Sequence, residues 1–421
     1  MEKHIGVIGG GIIGLSCAWY LARRGHRVTV LDRGLIGSGC SHGNCGLVCP
    51  SHVLPLAEPG MLGMGLRALF HPRGPLRISP RPNLRRWHWF WMFARRCNRT
   101  DMLESARAIQ PLLQSSLAEF QRWVADERLA CEWQQKGLLF VYRDQRAWQA
   151  YRRTNDLLQL EFGEPAEEVN ADEVRELEPA LNDSVCGGWY YAHDTHLRPD
   201  LLLTSLRDRL AASGRVLLRE NVAVASLDGQ DSSCRAIVCA DGSRVAVDGV
   251  VVATGAHANE FASMLGAALP VEPGKGYSVT VPPPSPTPAI PLIFPESRVA
   301  VTPFRNSLRL GSVMEFVGYN AQIPAWRIEY LKARAADYLR FPQSAIDGEQ
   351  SRWFGWRPMT PDSVPIIDRS PRWVNAWVAT GHNMLGLSMG PATGRLVAEL
   401  VDGDQPHLNP APYRCSRFAS R

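Results

Sequence analysis

Residues 4–9 read His-Ile-Gly-Val-Ile-Gly, an apolar run without alternation. That is the pattern of a strand buried on both faces of a parallel sheet. Ala18, Leu21 and Gly25 then mark one helix face and its stop, and residues 28–31 form a second apolar strand ending at Asp32. The order is strand, helix, strand. Further along, residues 101–165 read as helical, with Leu112, Leu113, Leu117, Phe120 and Val124 on one stripe. Residues 275–320 alternate instead: Tyr277, Val279, Val281, then Val299, Val301, and Leu308, Leu310. This period of two predicts strands. The proline-rich stretch 282–291 is expected as a stiff exposed loop between them. No internal repeat appears.

The first unit carries chemistry. Gly9, Gly11 and Gly14 stand in G-x-G-x-x-G spacing where the strand gives way to the helix, with Ile12 and Ile13 opening it. The first glycine allows a sharp turn and the second lets the backbone touch a pyrophosphate. The third lets the helix lie close to the strand. The helix N-terminus presents unpaired N–H groups and partial positive charge to phosphate. Asp32, followed by Arg33, closes the second strand where a ribose hydroxyl is bound, which disfavours a 2′-phosphorylated ribose. The unit binds a dinucleotide, and either NAD or FAD fits it.

Composition sets limits around that reading. At 421 residues the chain exceeds what one core usually supports, so two domains are the default. The net charge of +5 is carried by arginine, the lysines being only Lys3, Lys136, Lys275 and Lys332. No dense basic run with interleaved aromatics accompanies it, and nucleic acid is not an expected partner. None of the ten cysteines forms a C-x-x-C pair. The tightest group, Cys40, His42, Cys45 and Cys49, matches no standard zinc spacing, so no metal is expected. No window reaches the ~20 apolar residues of a bilayer span. The expected location is cytoplasmic, free or peripheral on the inner face of the membrane.

Three further segments give the unit a context: residues 38–60 (SGCSHGNCGLVCPSHVLPLAEPG), residues 250–260 (VVVATGAHANE), and residues 353–368 with 377–400 (WFGWRPMTPDSVPIID, then WVATGHNMLGLSMGPATGRLVAEL). Together they resemble the D-amino-acid oxidase superfamily, and within it the bacterial D-amino-acid dehydrogenases. The resemblance spans nearly the whole chain, including a tryptophan-rich helix within residues 75–97. It decides the cofactor as FAD. Many relatives carry Glu where Asp32 stands, which is conservative for a ribose hydroxyl. In the related monomeric sarcosine oxidases a cysteine near the Thr-x-Asp segment attaches the flavin, but residues 354–359 contain none, so FAD is expected to be non-covalent.

The resemblance also implies the site. Ser41, His42, Gly43, Asn44, Gly46 and Leu47 would pass under the flavin, His42 serving either there or as a scaffold residue. Val222 would meet the adenine through its backbone, and Ala253, Thr254 and Gly255 would form a second FAD-contacting turn. Gly381, Asn383, Leu385, Gly386, Leu387 and Ser388 would bring the last helix's N-terminus to the flavin C2 carbonyl.

On the substrate side, Arg357 is the candidate carboxylate anchor, or else an ion-pair partner of its loop. Tyr277 and Tyr319 either face the substrate or pack in the sheet. His382 positions the amine or caps the last helix, and Lys275 is a candidate for holding water or oxygen. The implied fold is α/β, a Rossmann-like FAD-binding domain with a second α+β domain on a mainly antiparallel sheet. The first is expected from residues 1–80, 195–270 and 350–421, the second from 81–194 and 271–349.

The implied reaction is oxidation of a D-amino acid, D-proline or hydroxy-D-proline among them, by hydride transfer to flavin. A glycine- or sarcosine-type oxidase, or a flavin subunit of a larger complex, remains the alternative. The partners are then an amino acid or amine and an electron acceptor, quinone or oxygen. A homo-oligomer is compatible with the sequence. Arginine pairs around Trp87, Trp89 and Trp91 suit either a membrane interface or a buried clamp.

Overall fold

In the computed structural model of the protein, residues 1–70, 73–81 and 83–418 are described. The first apolar run becomes the strand His4–Ile8, central in a six-stranded sheet. Its neighbours are Arg27–Leu31 and Gly249–Val252, both parallel to it, with Val216–Arg219 and Ala376–Thr380 beyond them; the edge strand Ile366–Arg369 runs antiparallel. Because helices and loops cover both faces, Ile5, Val7, Val28, Val30, Val250 and Val251 are essentially inaccessible. Burying each such side chain contributes roughly 1.5–3 kcal/mol.

The helix Ile12–Arg23 crosses the last long helix, Gly386–Asp402, at close range. Gly390 and Gly394 make this approach feasible. A Cβ at Gly394 would sit 2.5 Å from the Ser16 backbone, and one at Gly390 would sit 2.9 Å from Ile12 Cγ1. The 27-residue helix Arg99–Ala125 clamps the pair from outside. Its Glu119 accepts from the Tyr20 hydroxyl at 2.7 Å and from Arg395 at 2.9 Å.

The second sheet has nine strands and is mostly antiparallel. Glu272–Val281, Ser307–Phe316 and Val299–Phe304 form its centre, where the alternating pattern predicted strands. They are buried on both faces rather than one. Two expectations change here. The strand Leu138–Tyr142 interrupts the stretch read as helical, because five consecutive apolar residues (LLFVY) pair with Gly187–Tyr191. The strand Ser351–Met359, expected with the dinucleotide unit, instead ladders onto Glu272–Val281 along its whole length. It thus carries Arg357 on the second sheet, facing the first.

The tryptophan-rich helix is Leu84–Arg96. One face is a clamp: Trp89 and Phe93 are buried, the Trp89 indole donates to the Met359 carbonyl at 3.0 Å, and Arg86 meets Glu272 at 2.8 Å. The other face leaves Trp87 and Trp91 exposed. Among the described residues, no helix is long and apolar enough to cross a membrane.

Candidate active site

Between the two sheets lies a cleft of about 1380 Å³. It is lined on one side by the glycine turn and on the other by the strand bearing Arg357. Gly9 has φ +106°, the left-handed region that favours glycine, and a Cβ there would lie 2.4 Å from the Ala253 carbonyl oxygen. Asp32 holds the turn from below, accepting from Gly10 N at 2.7 Å and Gly34 N at 2.8 Å. Gly11 itself offers this helix N-terminus no side-chain cap, the Ser41 hydroxyl accepting only from Ile12 N, and Ile12 and Ile13 line the cleft beside it. The last helix likewise opens at an uncapped Leu385, with Gly386, Leu387 and Ser388 on the cleft wall. Two helix N-termini therefore face one cavity, a disposition that favours anionic groups.

Most of the expected binding residues line this cleft: Arg33, Ser41, Gly43, Asn44, Leu47, Val222, Ala253, Thr254, Gly255 and Asn383 join those already named. Thr254 Oγ1 is buried without a hydrogen-bond partner in the protein. Ser41 Oγ and Asn44 Oδ1 are already accepting, from Ile12 N at 3.2 Å and Gly46 N at 2.7 Å, so these side chains shape the loop. Ser388 Oγ donates to Leu47 O at 3.0 Å, which leaves its backbone N–H for the cleft.

Several expected residues do not line the cleft. Gly14, Gly46 and Gly381 act through close packing: a Cβ would stand 1.8 Å from Gly9 O, 1.9 Å from Leu197 O and 2.5 Å from Thr360 Cγ2, respectively. His42 is exposed outside it, because its loop turns the side chain to solvent while its carbonyl accepts from Arg309. Tyr319 is also outside, its hydroxyl donating to Ala256 O at 2.6 Å and its ring stacked on His257. Tyr277 reaches the wall, but its hydroxyl is committed to the Glu315 carboxylate at 2.7 Å. Lys275 donates to the Gln322 carbonyl and packs over Tyr277 and Phe354, away from the cleft.

Arg357 does reach the cleft. One Nη donates to the Val313 carbonyl at 2.6 Å, and among the described residues no carboxylate pairs with it. Burial lowers its pKa, opposed by the neighbouring thiols of Cys40 and Cys45. Val313 and the preceding Ser312 both have positive φ, at +50° and +102°. Such strain persists only where the surroundings enforce it. His382 lines the cleft too, with Nε2 3.0 Å from Thr393 Oγ1, and burial lowers its pKa to about 3, so its ring is neutral.

Cys45, within the Asn-x-Gly stretch expected under the flavin, lines the cleft, as do Cys40, His52 and Arg298, which the sequence did not place there. All but Arg298 sit in the quoted 38–60 stretch, where the small residues suggest a flavin loop and the Cys/His spacing matches no zinc site. Burial raises both thiols, Cys40 to about 11, so they are protonated and weakly nucleophilic near neutrality, which fits a cofactor held without a covalent bond.

Acid should weaken this fold. His196 and His382 are buried, with pKa lowered from 6.5 to about 4 and about 3. Their contribution is present above pH 6.5 and lost as pH falls toward those values. Asp194, raised from 3.8 to about 7, has the opposite sign over the same range, but His52, lowered by burial to about 4, joins the other two histidines and the three outweigh it. Thermal unfolding is expected at clearly lower temperature at pH 5 than at pH 7.5, and His382→Asn should flatten the difference. An unchanged midpoint across that range would remove the basis for the assignment.

The features of the cleft fit FAD: glycine turn, terminal acid, unpartnered Thr254 hydroxyl, and a second helix N-terminus 375 residues along the chain from Gly11 at Gly386. Comparison with known proteins agrees. A family model described as FAD dependent oxidoreductase matches residues 4–400. The D-amino acid dehydrogenase of Neisseria gonorrhoeae is 31% identical over 419 residues, covering 98% of each chain. Among solved structures, glycine oxidase from Bacillus cereus superposes with a TM-score of 0.77 at 22% identity over the whole of both chains. L-proline dehydrogenase from P. horikoshii gives 0.76 at 22% identity, over 99% of this chain and 98% of that one. The chain is an enzyme and belongs to the family of FAD dependent oxidoreductases.

Proposed function

We propose that this enzyme oxidises a D-amino acid, holding its carboxylate on Arg357 and passing electrons onward from FAD. The observation that carries the reading is a cleft-lining arginine without a carboxylate partner of its own among the described residues. Such a guanidinium fork matches a carboxylate in geometry and charge. The relatives named for D-amino acid and L-proline dehydrogenation support an amino-acid substrate with a primary or ring amine.

The glycine turn, Asp32, the 41–47 loop, the 253–255 turn and the last helix's N-terminus would hold the cofactor. When bound, FAD supplies the two-electron acceptor for a hydride from the substrate's α-carbon. The protein's part is placement. Arg357 fixes the carboxylate, neutral His382 adds no competing charge, and Trp353, Phe354 and Trp356 narrow the cleft against water. The released imino acid then hydrolyses to a keto acid and ammonia, or cyclises.

A lipid-soluble quinone is the acceptor this surface favours. Leu62, Leu66, Leu69, Trp87 and Trp91 line the cleft and are exposed around its mouth. The exposed arginines Arg67, Arg85 and Arg95 flank them. Apolar and aromatic side chains ringed by cations suit the surface of an anionic bilayer.

Anaerobic mixing with D- and L-amino acids, glycine, sarcosine and D-proline tests the reading. Rapid bleaching of the flavin band by D-amino acids, and recolouring by a quinone faster than by air, is the expected result. A flavin band that no amino acid bleaches would end the assignment.

A further inference from the structure

An α-amino acid near neutral pH arrives as an ammonium, and an ammonium nitrogen has no lone pair to assist loss of the α-hydride. Something must take that proton. His382 is poorly suited, since its Nε2 meets Thr393 Oγ1 and its buried Nδ1 has no hydrogen-bond partner, so no carboxylate stands behind the ring to receive the proton. A second histidine lines the same cleft. His52 follows the loop strand Leu47–Val48 and packs its ring against Phe140 at 5.8 Å. Its Nδ1 lies 3.3 Å from Ser51 Oγ, and Ser51 Oγ donates to Asp194 Oδ2 at 2.6 Å. Asp194 is 1% exposed, and no arginine or lysine pairs with it among the described residues. A carboxylate buried in this way is costly to keep charged and is usually found doing chemistry or paired.

We propose that His52, Ser51 and Asp194 form a relay that takes the proton from the substrate's ammonium group and stores it on Asp194. This rests on the amino-acid reading above. The proton passes from substrate nitrogen to His52 Nε2, the Nδ1 proton passes to Ser51 Oγ, and the Ser51 hydroxyl proton passes to Asp194. Each group keeps its valence, and the charge moved is one. With Nδ1 donating to Ser51, the tautomer leaves the Nε2 lone pair free to accept.

The other groups around Asp194 do not compete for the role. The Cys49 thiol is raised well above its usual pKa by burial and by Asp194 itself. Tyr191 and Tyr151, whose hydroxyls lie 2.6 Å apart, are both raised by burial. Glu164 contributes only a longer-range push upward on Asp194. Burial brings Asp194 to about 7, so it is available as an acceptor near neutrality yet can release the proton to solvent between turnovers.

The test uses the FAD-loaded enzyme and 2-aminoisobutyrate, an amino acid with no α-hydrogen to lose. Infrared difference spectra on binding at pH 8 should show a new protonated-carboxyl stretch in the wild type. It should be absent in Asp194→Asn and in His52→Gln. Stopped-flow bleaching by an oxidisable D-amino acid should be slowed about a hundredfold in His52→Gln at pH 7.5. That deficit should shrink above the substrate amine's own pKa, where the amine arrives already neutral. Ser51→Ala, a smaller change, should show the same pH signature if either larger substitution harms folding. No carboxyl band in the wild type, or a deficit that is equal at every pH, overturns the relay while leaving the amino-acid reading intact. A wild-type flavin that no amino acid bleaches overturns both.

Discussion

Arg357→Ala is expected to keep its FAD and its fold but to reduce flavin with D-amino acids roughly 10²–10³-fold less efficiently. Charge-assisted hydrogen bonds contribute about 1.5–3 kcal/mol each, and each 1.4 kcal/mol is a factor of ten. Two such bonds to a carboxylate would give about 10²–10⁴-fold, and water entering the vacated space recovers part of the loss. The change should fall on saturation, with the substrate concentration for half-maximal bleaching rising far more than the limiting rate falls. Arg357→Lys keeps the charge without the planar fork and should land between the two.

Arg357 also holds the Val313 carbonyl at 2.6 Å, so part of any loss arises from the strained Ser312–Val313 backbone. An amine lacking a carboxylate separates the two roles. If it is oxidised at the same rate by both proteins, the loss with amino acids belongs to carboxylate binding. An equal loss with both substrates would assign Arg357 to the loop alone.

The two parts of this site were unequally legible in the sequence. The dinucleotide side depends on backbone geometry, and backbone geometry leaves marks: Gly9 needs its positive φ, and Asp32 needs to sit directly after a strand. Those constraints lie within thirty residues and are readable in order. The substrate side is assembled from strands far apart in the chain. Tyr277 reads as a substrate ligand until Glu315, on the neighbouring strand, takes its hydroxyl. Tyr319 loses its place because Ala256 lies within reach of it, a contact that spacing does not announce. His52 was hidden differently, in a segment already given a role by its small residues. Its connection to Asp194 spans 142 positions and exists because Leu47–Val48 pairs with Thr195–His196. The strand Leu138–Tyr142 was absorbed into a helical reading because two long helices flank it.

The glycine turn provides the second large effect, as a pair of substitutions that look alike in sequence and should behave differently. A Cβ at Gly14 would stand 1.8 Å from Gly9 O and 2.9 Å from Gly9 C, both backbone atoms. The helix must then move off the strand, at a cost at or above the roughly 1–3 kcal/mol typical of overpacking. Gly14→Ala should therefore lower the melting temperature and lose FAD together. A Cβ at Gly11 meets within 4 Å only the Ser41 hydroxyl, at 3.7 Å, and otherwise enters the cleft. Gly11→Ala should fold with a melting temperature close to that of the flavin-free wild type. Its FAD affinity should nevertheless fall about a hundredfold or more, as two phosphate-directed hydrogen bonds at about 1.5–3 kcal/mol each are weakened. Flavin absorbance after purification, with a binding titration of the apoprotein, measures both. Full flavin in Gly11→Ala would mean that the cofactor's phosphates do not lie against this turn, and the assignment of the first helix N-terminus would have to be withdrawn.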